Sequence, residues 1–295
     1  MRPTAIDQLP RPDAMTARPA SDPAPIAWRL VSDGEVTYER EIIFGGVAAA
    51  ELDAAGIGSE VVTPYHALLV TTGGRVILVD AGLGELAGAM GGTAGRLVDS
   101  LSDVGLRPAE IDDVVITHAH ADHVGGLTSG GRPMFDRARH HVTRQELDFW
   151  LGERPEERLF APLAEMLVGT ARSALTTLRD AGLLRPRDPD AVIAPGVRLL
   201  SAPGHTPGHV AVELDNGGDT MLYLSDTVLH EQQFANPEWT SAVDTDPAET
   251  VATRRAILDR AAERGTLVAG FHLPNLARVS RARRGYRLES VRAFT

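Results

Sequence analysis

The segment His118-Ala119-His120-Ala121-Asp122-His123 places four metal-ligating side chains within six residues, directly after the apolar run Val114-Val115-Ile116-Thr117. Neutral imidazoles and a carboxylate suit zinc and similar borderline first-row ions. A strand that opens into a loop can turn alternate side chains toward one point, so His118 and His120 are placed to share an ion. Asp122 and His123 are adjacent in sequence and would diverge on a regular strand. They fit better as ligands of a second ion beside the first, with the loop turning between the two pairs.

Other strand ends offer further donors. His205 lies in Ser201-Ala202-Pro203-Gly204-His205-Thr206-Pro207-Gly208-His209, after the apolar stretch Val197-Arg198-Leu199-Leu200. Met221-Leu222-Tyr223-Leu224-Ser225-Asp226 ends in a carboxylate, and Thr266-Leu267-Val268-Ala269-Gly270-Phe271-His272 ends in a histidine. Four predicted strand ends therefore each deliver a ligand.

Residues 67–80 read as two strands joined at Gly73-Gly74, and residues 210–226 as two strands joined near Gly217-Gly218; both hairpins end in an aspartate. This weak repeat predicts two related halves, each a sheet with helices on its outer face, packed sheet to sheet with the metals at the shared rim. Helices are expected from Thr93 to Val104 and from Ala248 to Arg264, the latter opened by Pro247 and closed by Gly265. Residues 143–184 carry Leu147, Phe149, Trp150, Leu151, Phe160, Leu163, Met166 and Leu167 at helical spacing. They read either as an amphipathic pair packed on the core or as a roof over the metal centre.

Thr117-His118-x-His120-x-Asp122-His123, Gly204-His205-Thr206-Pro207-Gly208-His209, Ser225-Asp226 and the late strand ending in His272 together resemble the metallo-β-lactamase superfamily of metallo-hydrolases. The likeness runs from about Tyr65 to His272. It implies an α/β fold, the αββα four-layer sandwich with two mixed β-sheets flanked by helices. It also implies two divalent ions, zinc first, with manganese, cobalt or iron as alternatives. By the same resemblance His118, His120 and His205 hold one ion, Asp122, His123 and His272 hold the other, and Asp226 bridges them. Asp80 matches a buried aspartate behind the site that orients a ligand histidine; a turn cap before Ala81-Gly82 is the other physical reading. His209 belongs to the motif but falls outside the metal set.

A hydroxide bridging two such ions would be the nucleophile, since one bound zinc already lowers the pKa of water from 15.7 to about 7. Asp122, beside it, is the candidate proton carrier to the leaving group. His66, His140, His141 and His230 stand outside the pattern. His140 and His141 follow arginines and are expected to face solvent, whereas His66 and His230 flank motif segments and are candidates for the pocket wall.

Composition narrows the classes. A formal net charge of −11 argues against a nucleic-acid partner. Cysteine is absent, which removes disulfides and the cysteine zinc ligand of the best-known true β-lactamases. No run of about twenty apolar residues suggests a membrane span. The first 25 residues, rich in Pro, Ala and Arg, lack the apolar core of a secretory signal. They are expected to form a flexible tail ahead of one hydrolase domain over residues 26–295, located in the cytoplasm.

For the substrate, Leu222 to His230, Pro237-Glu238-Trp239, Asp244-x-Asp246-Pro247 and Phe271-His272-Leu273-Pro274 resemble the branch containing methyl-parathion-hydrolase-like phosphotriesterases and lactonases. Typical acyl-homoserine lactonases carry a tyrosine three residues after the bridging aspartate, where this chain has Leu229. The resemblance implies a small-molecule lactone or carboxylic ester with an apolar acyl part, and Phe149, Trp150 and Leu229 are the candidate pocket residues. Alternatives are a phosphotriester, a thioester, or a persulfide oxidised at a single iron. Relatives suggest a homodimer, and apolar side chains at Trp28 and Ile42-Ile43-Phe44 are the candidate pairing surface.

Overall fold

The computed structural model describes residues 26–217 and 220–293; the N-terminal tail expected over residues 1–25 lies outside them. Two mixed sheets carry the architecture. The first has six strands in the order Ala27–Glu39, Glu60–Thr72, Arg75–Val79, Asp113–Val115, Arg139–Thr143 and Leu184–Arg187. The second has seven, in the order Tyr286–Ala293, Asn275–Arg281, Leu267–Ala269, Thr220–Tyr223, Val210–Asp215, Val197–Ser201 and Val192–Ala194.

Both predicted hairpins are present, one in each sheet. Leu68 pairs with Val79 across a turn where Gly73 and Gly74 take φ of 57° and 76°, values that favour glycine. Val212 pairs with Tyr223 in the second hairpin. Central strands such as Leu68–Val70 and Ile77–Val79 are buried on both faces and read as continuous apolar runs. Their inner faces meet those of Val197, Leu199, Val210, Val212 and Tyr223 in one core between the sheets.

Helices cover the outer faces. Ala161–Asp180 and Leu97–Asp103 lie over the first sheet through Leu167, Ala171, Leu175, Leu97 and Leu101. Pro247–Arg264 covers the second through Ile257, Leu258 and Ala261. The last begins and ends as expected: the Asp246 side chain accepts from the Glu249 N–H, and Gly265 closes it at φ 61°. The helix predicted from Thr93 starts instead at Leu97, because Gly91, Gly92 and Gly95 all adopt positive φ ahead of it.

Two expectations fail on burial. His140 and His141 lie on an interior strand, and both are buried rather than solvent-facing. His141 Nε2 bonds Asp113 Oδ1 at 2.6 Å, and Arg139 reaches the same buried carboxylate while Arg187 Nε bonds His141 Nδ1 at 2.9 Å. Ile43 and Phe44 are buried within the chain against Leu52, Val61, Leu229 and Trp239, and Trp28 packs on the main core. The expected pairing surface is thus largely used inside the fold. No helix among the described residues is long and apolar enough to cross a membrane.

Candidate metal centre

Each donor sits where a strand stops and the chain turns across the rim between the sheets. His118 follows Asp113–Val115, His205 follows Val197–Ser201, Asp226 follows Thr220–Tyr223 and His272 follows Leu267–Ala269. Strain marks two of these ends: Asp80 has φ 65° and Ser225 has φ 47°, and they stand at corresponding ends of the two hairpins. Thr117 ties them together, its hydroxyl lying 2.8 Å from Ser225 Oγ and within 3.0 Å of both Asp80 carboxylate oxygens.

All seven sequence candidates converge. One atom each from His118, His120 and His205 falls within 4.8 Å of the others, and so do atoms from Asp122, His123, Asp226 and His272. Asp226 reaches across both groups: Oδ2 lies 3.3 Å from His205 Nε2 and 3.2 Å from His272 Nε2, and Oδ1 lies 3.2 Å from His123 Nε2. Asp122 Oδ2 stands 3.3 Å from His272 Nε2. Its side chain, 16% exposed, is the most open of the set.

The imidazoles are held from behind. His123 Nδ1 pairs with Asp80 Oδ2 at 2.9 Å, a contact of the kind that fixes the orientation of an imidazole. His205 Nδ1 lies 2.8 Å from Asp244 Oδ1, and His272 Nδ1 lies 3.2 Å from the Pro64 carbonyl. His209 donates from Nδ1 to the Ala202 carbonyl at 2.9 Å, leaving Nε2 to accept from the Asp226 N–H at 3.3 Å. His209 therefore positions the backbone of Asp226.

The donor set fits divalent cations. His118 Nε2, His123 Nε2 and Asp226 Oδ1 are buried polar atoms without a hydrogen bond, a condition folded proteins rarely tolerate. His120 Nδ1 and His205 Nε2 face each other at 2.9 Å, two lone-pair carriers aimed at one region. Electrostatics agree. Burial alone would push Asp226 up, but His123, His272 and His118 pull its carboxyl well below the usual range. Against the penalty of burial, Asp226 and Asp244 lift His205 to about 9, and Asp226 and Asp122 lift His272 to about 9. The centre draws positive charge, and a bound divalent ion would displace those protons.

Glu146 is a buried residue that the sequence reading passes over. Its Oε1 accepts from the Ala119 N–H at 2.9 Å and Trp150 Nε1 at 2.6 Å. Its Oε2 accepts from Thr206 Oγ1 at 2.8 Å and the Gly208 N–H at 3.0 Å. One carboxylate thus fastens the His118–His123 loop to the His205 loop. Gly208 must be glycine for this, since a Cβ there would come within 2.2 Å of the Glu146 nitrogen.

A cleft opens onto these side chains, lined by His120, Asp122 and His272 and by mostly aliphatic residues that include Ile42, Leu83, Met90, Leu163, Met166 and Leu229. Leu229 is thus a wall residue. Trp150 is not: it is fully buried beneath His120, with ring centroids 5.6 Å apart. Phe149 lies outside the lining too, against Trp150 and under the Arg158 guanidinium. The reason is register: the Phe149-Trp150 pair is on the helix Arg144–Leu151, which backs the ligand loops, whereas the next helix, Ala161–Asp180, faces the cleft. His66 and His230 do not line it either.

The fold and its convergent His/Asp cluster define a candidate metal-binding protein, and the chain belongs to the metallo-beta-lactamase superfamily, whose sequence model matches residues 61–272. Among individual proteins it is similar to a probable metallo-hydrolase of Mycobacterium tuberculosis, 28% identical over 198 residues, covering 56% of this chain and 57% of that one. The match therefore spans less than two thirds of that relative's length. An N-acyl homoserine lactonase from a Bacillus species is 27% identical over 192 residues, covering 59% of this chain and 67% of the lactonase. In three dimensions the fold matches AidC, described as a dizinc quorum-quenching lactonase in complex with an N-acyl homoserine product. The TM-score is 0.82 at 23% identity, covering 93% of this chain and 97% of that one. The hydrolase AbOPH follows, with a TM-score of 0.80 at 26% identity, covering 94% and 97%.

Proposed function

We propose that this hydrolase cleaves a lactone or carboxylic ester with an apolar acyl part, at a centre of two divalent ions, zinc foremost. The observation that carries the proposal is the cleft, which joins His120, Asp122 and His272 to a wall that is otherwise mostly aliphatic. A charged substrate would be desolvated there without a partner, whereas an acyl chain gains about 25 cal/mol per Å² of buried apolar surface. The lactonase relatives support the same substrate class.

His118, His120 and His205 would hold one ion and Asp122, His123 and His272 the other, with Asp226 between them. When bound, the ions make water acidic enough to serve as nucleophile at neutral pH and polarise the scissile carbonyl. The remaining work falls to the chain. Leu163, Met166 and Leu229 seat the acyl part and exclude water. Asp80, Asp244 and Glu146 keep the imidazoles and loops in place. Asp122, the ligand most open to the cleft, takes the proton from the attacking water and returns it to the leaving oxygen.

The test compares kcat/KM for a long-chain acyl lactone with that for an aryl phosphotriester, on protein loaded with zinc and then manganese, with Asp226→Ala as blank. A ratio far above one, lost in the blank, is expected. A ratio far below one would replace the ester with a phosphotriester. Activity on neither, with one iron per chain by metal analysis, would direct the search to persulfides, and with two zinc-like ions to thioesters.

A further inference from the structure

The cleft contains a hydroxyl that the scheme above leaves unused. Apart from the ligands His120, Asp122 and His272, the polar side chains lining it are Thr63 and Tyr38. Thr63 is 2% exposed and its hydroxyl turns back to the Val61 carbonyl at 3.5 Å. Tyr38, near the end of the strand Ala27–Glu39, is only partly buried, and its hydroxyl is hydrogen-bonded to that of Tyr65.

The direction of that bond is set by burial. Tyr65 is 0% exposed, packed on Phe271 and edge-on to His272 with centroids 5.2 Å away in each case. Tyr38 is the hydrogen-bond partner of its hydroxyl among the described residues. A buried O–H left without an acceptor costs about 1–3 kcal/mol, so Tyr65 donates and Tyr38 accepts. The proton of Tyr38, on a residue that lines the cleft, is then not used by Tyr65, and a hydroxyl that accepts one hydrogen bond donates the next more strongly. The cleft is also lined by Ile42, Ile43, Leu83 and Leu229, none of which can compete as a donor.

We propose that Tyr38 is a catalytic residue of this hydrolase: its hydroxyl donates a hydrogen bond to the carbonyl oxygen of the scissile ester as negative charge gathers there, and Tyr65 is the positioning residue behind it. The assignment rests on ester hydrolysis at the metal centre. Tyr38 keeps its proton throughout, so no bond to it forms or breaks. Its contribution grows with the charge on the oxygen, and it therefore acts on kcat more than on KM.

The experiment uses metal-loaded full-length protein and the variants Tyr38→Phe, Tyr65→Phe and the double variant, with a lactone the wild type hydrolyses. Tyr38→Phe should lower kcat about a hundredfold with metal content and melting temperature unchanged. Tyr65→Phe should lose less, and the double variant no more than Tyr38→Phe alone, because Tyr65 acts through Tyr38. A kcat within twofold of wild type in Tyr38→Phe overturns the proposal, as does a loss matched by lost metal. Binding of an alkyl phosphonate, which carries the charged oxygens without turning over, gives an independent readout: calorimetry should show at least tenfold weaker binding to Tyr38→Phe, and equal binding overturns the proposal. Should the wild type prove active on phosphotriesters alone, the ester assignment fails, and the same kcat comparison on the phosphoryl oxygen judges Tyr38 separately.

Discussion

Asp226 is the side chain on which the two donor groups depend together, since its oxygens approach His205, His123 and His272 within 3.3 Å. Asp226→Asn keeps the shape but removes the negative charge between the groups and turns one of the two acceptor atoms into a donor. It is expected to bind fewer than two ions per chain by elemental analysis and to lose about a hundredfold or more in kcat/KM. The seven side chains that converge were legible because metal chemistry restricts residue type and spacing so tightly. Side chains that act by burial left no such mark. His140, preceded by arginines, looked like a surface residue, yet burial pushes its pKa down to about 4 from 6.5. On acidification the unfolded chain therefore takes up its proton before the folded one. The stability gained by keeping His140 neutral is complete above pH 6.5 and erodes between 6.5 and 4, by up to about 3 kcal/mol. In chelator-treated protein, His140→Leu should flatten the fall in denaturation midpoint across that window relative to wild type. Parallel pH profiles for the two proteins would remove this account of acid sensitivity.

At the scale of elements, Glu146 shows how a local signal can conceal a distant role. In a helix start of the Thr-x-x-Glu kind the glutamate commonly turns back on its own first turn. Thr143 does cap its helix by accepting from the Glu146 N–H at 3.2 Å. The Glu146 carboxylate, however, faces the other way, into four donors from two ligand loops and Trp150. Every one of those partners donates, so an amide in its place sets N–H against N–H. Glu146→Gln should weaken metal binding by about 10- to 100-fold in competition with a chelating dye while the helix content by circular dichroism holds. Unchanged metal affinity would reduce Glu146 to a packing role. The helix Ala161–Asp180 makes the complementary point. Its periodicity was plain, and its face toward the cleft was one of the two readings left open; Leu163, Met166 and Leu167 line that cleft one turn apart. Leu163→Trp should fill its outer part, lowering kcat/KM about tenfold for long acyl chains and leaving short ones within twofold. An equal loss across chain lengths would mean the acyl part lies elsewhere.

Across the whole molecule, the two hairpins that end at Asp80 and Asp226 already outlined two sheets meeting at a rim, and the resemblance in motif named the sandwich. The cleft was far less legible, since its wall is drawn from Tyr38 at one end of the chain to His272 at the other, and no local pattern records which loops will face each other. The same long-range assembly would give bound ions a structural role. His118, His120, Asp122 and His123 belong to the first-sheet side of the rim, and His205, Asp226 and His272 to the second. Ions held by both sets bind the folded chain and not the separated halves. At a free concentration of a hundred times Kd, one such ion stabilises the native state by about 2.7 kcal/mol. For a chain of this size each kcal/mol moves the melting temperature by about 2–4 °C. Chelation should therefore lower the midpoint by roughly 5–10 °C per ion removed, reversed by zinc, with Asp226→Asn recovering less than wild type. A midpoint indifferent to chelator in protein shown to have lost its metal would mean that the two sheets hold the rim together unaided, through contacts such as Glu146 between the loops and Thr117 between Asp80 and Ser225.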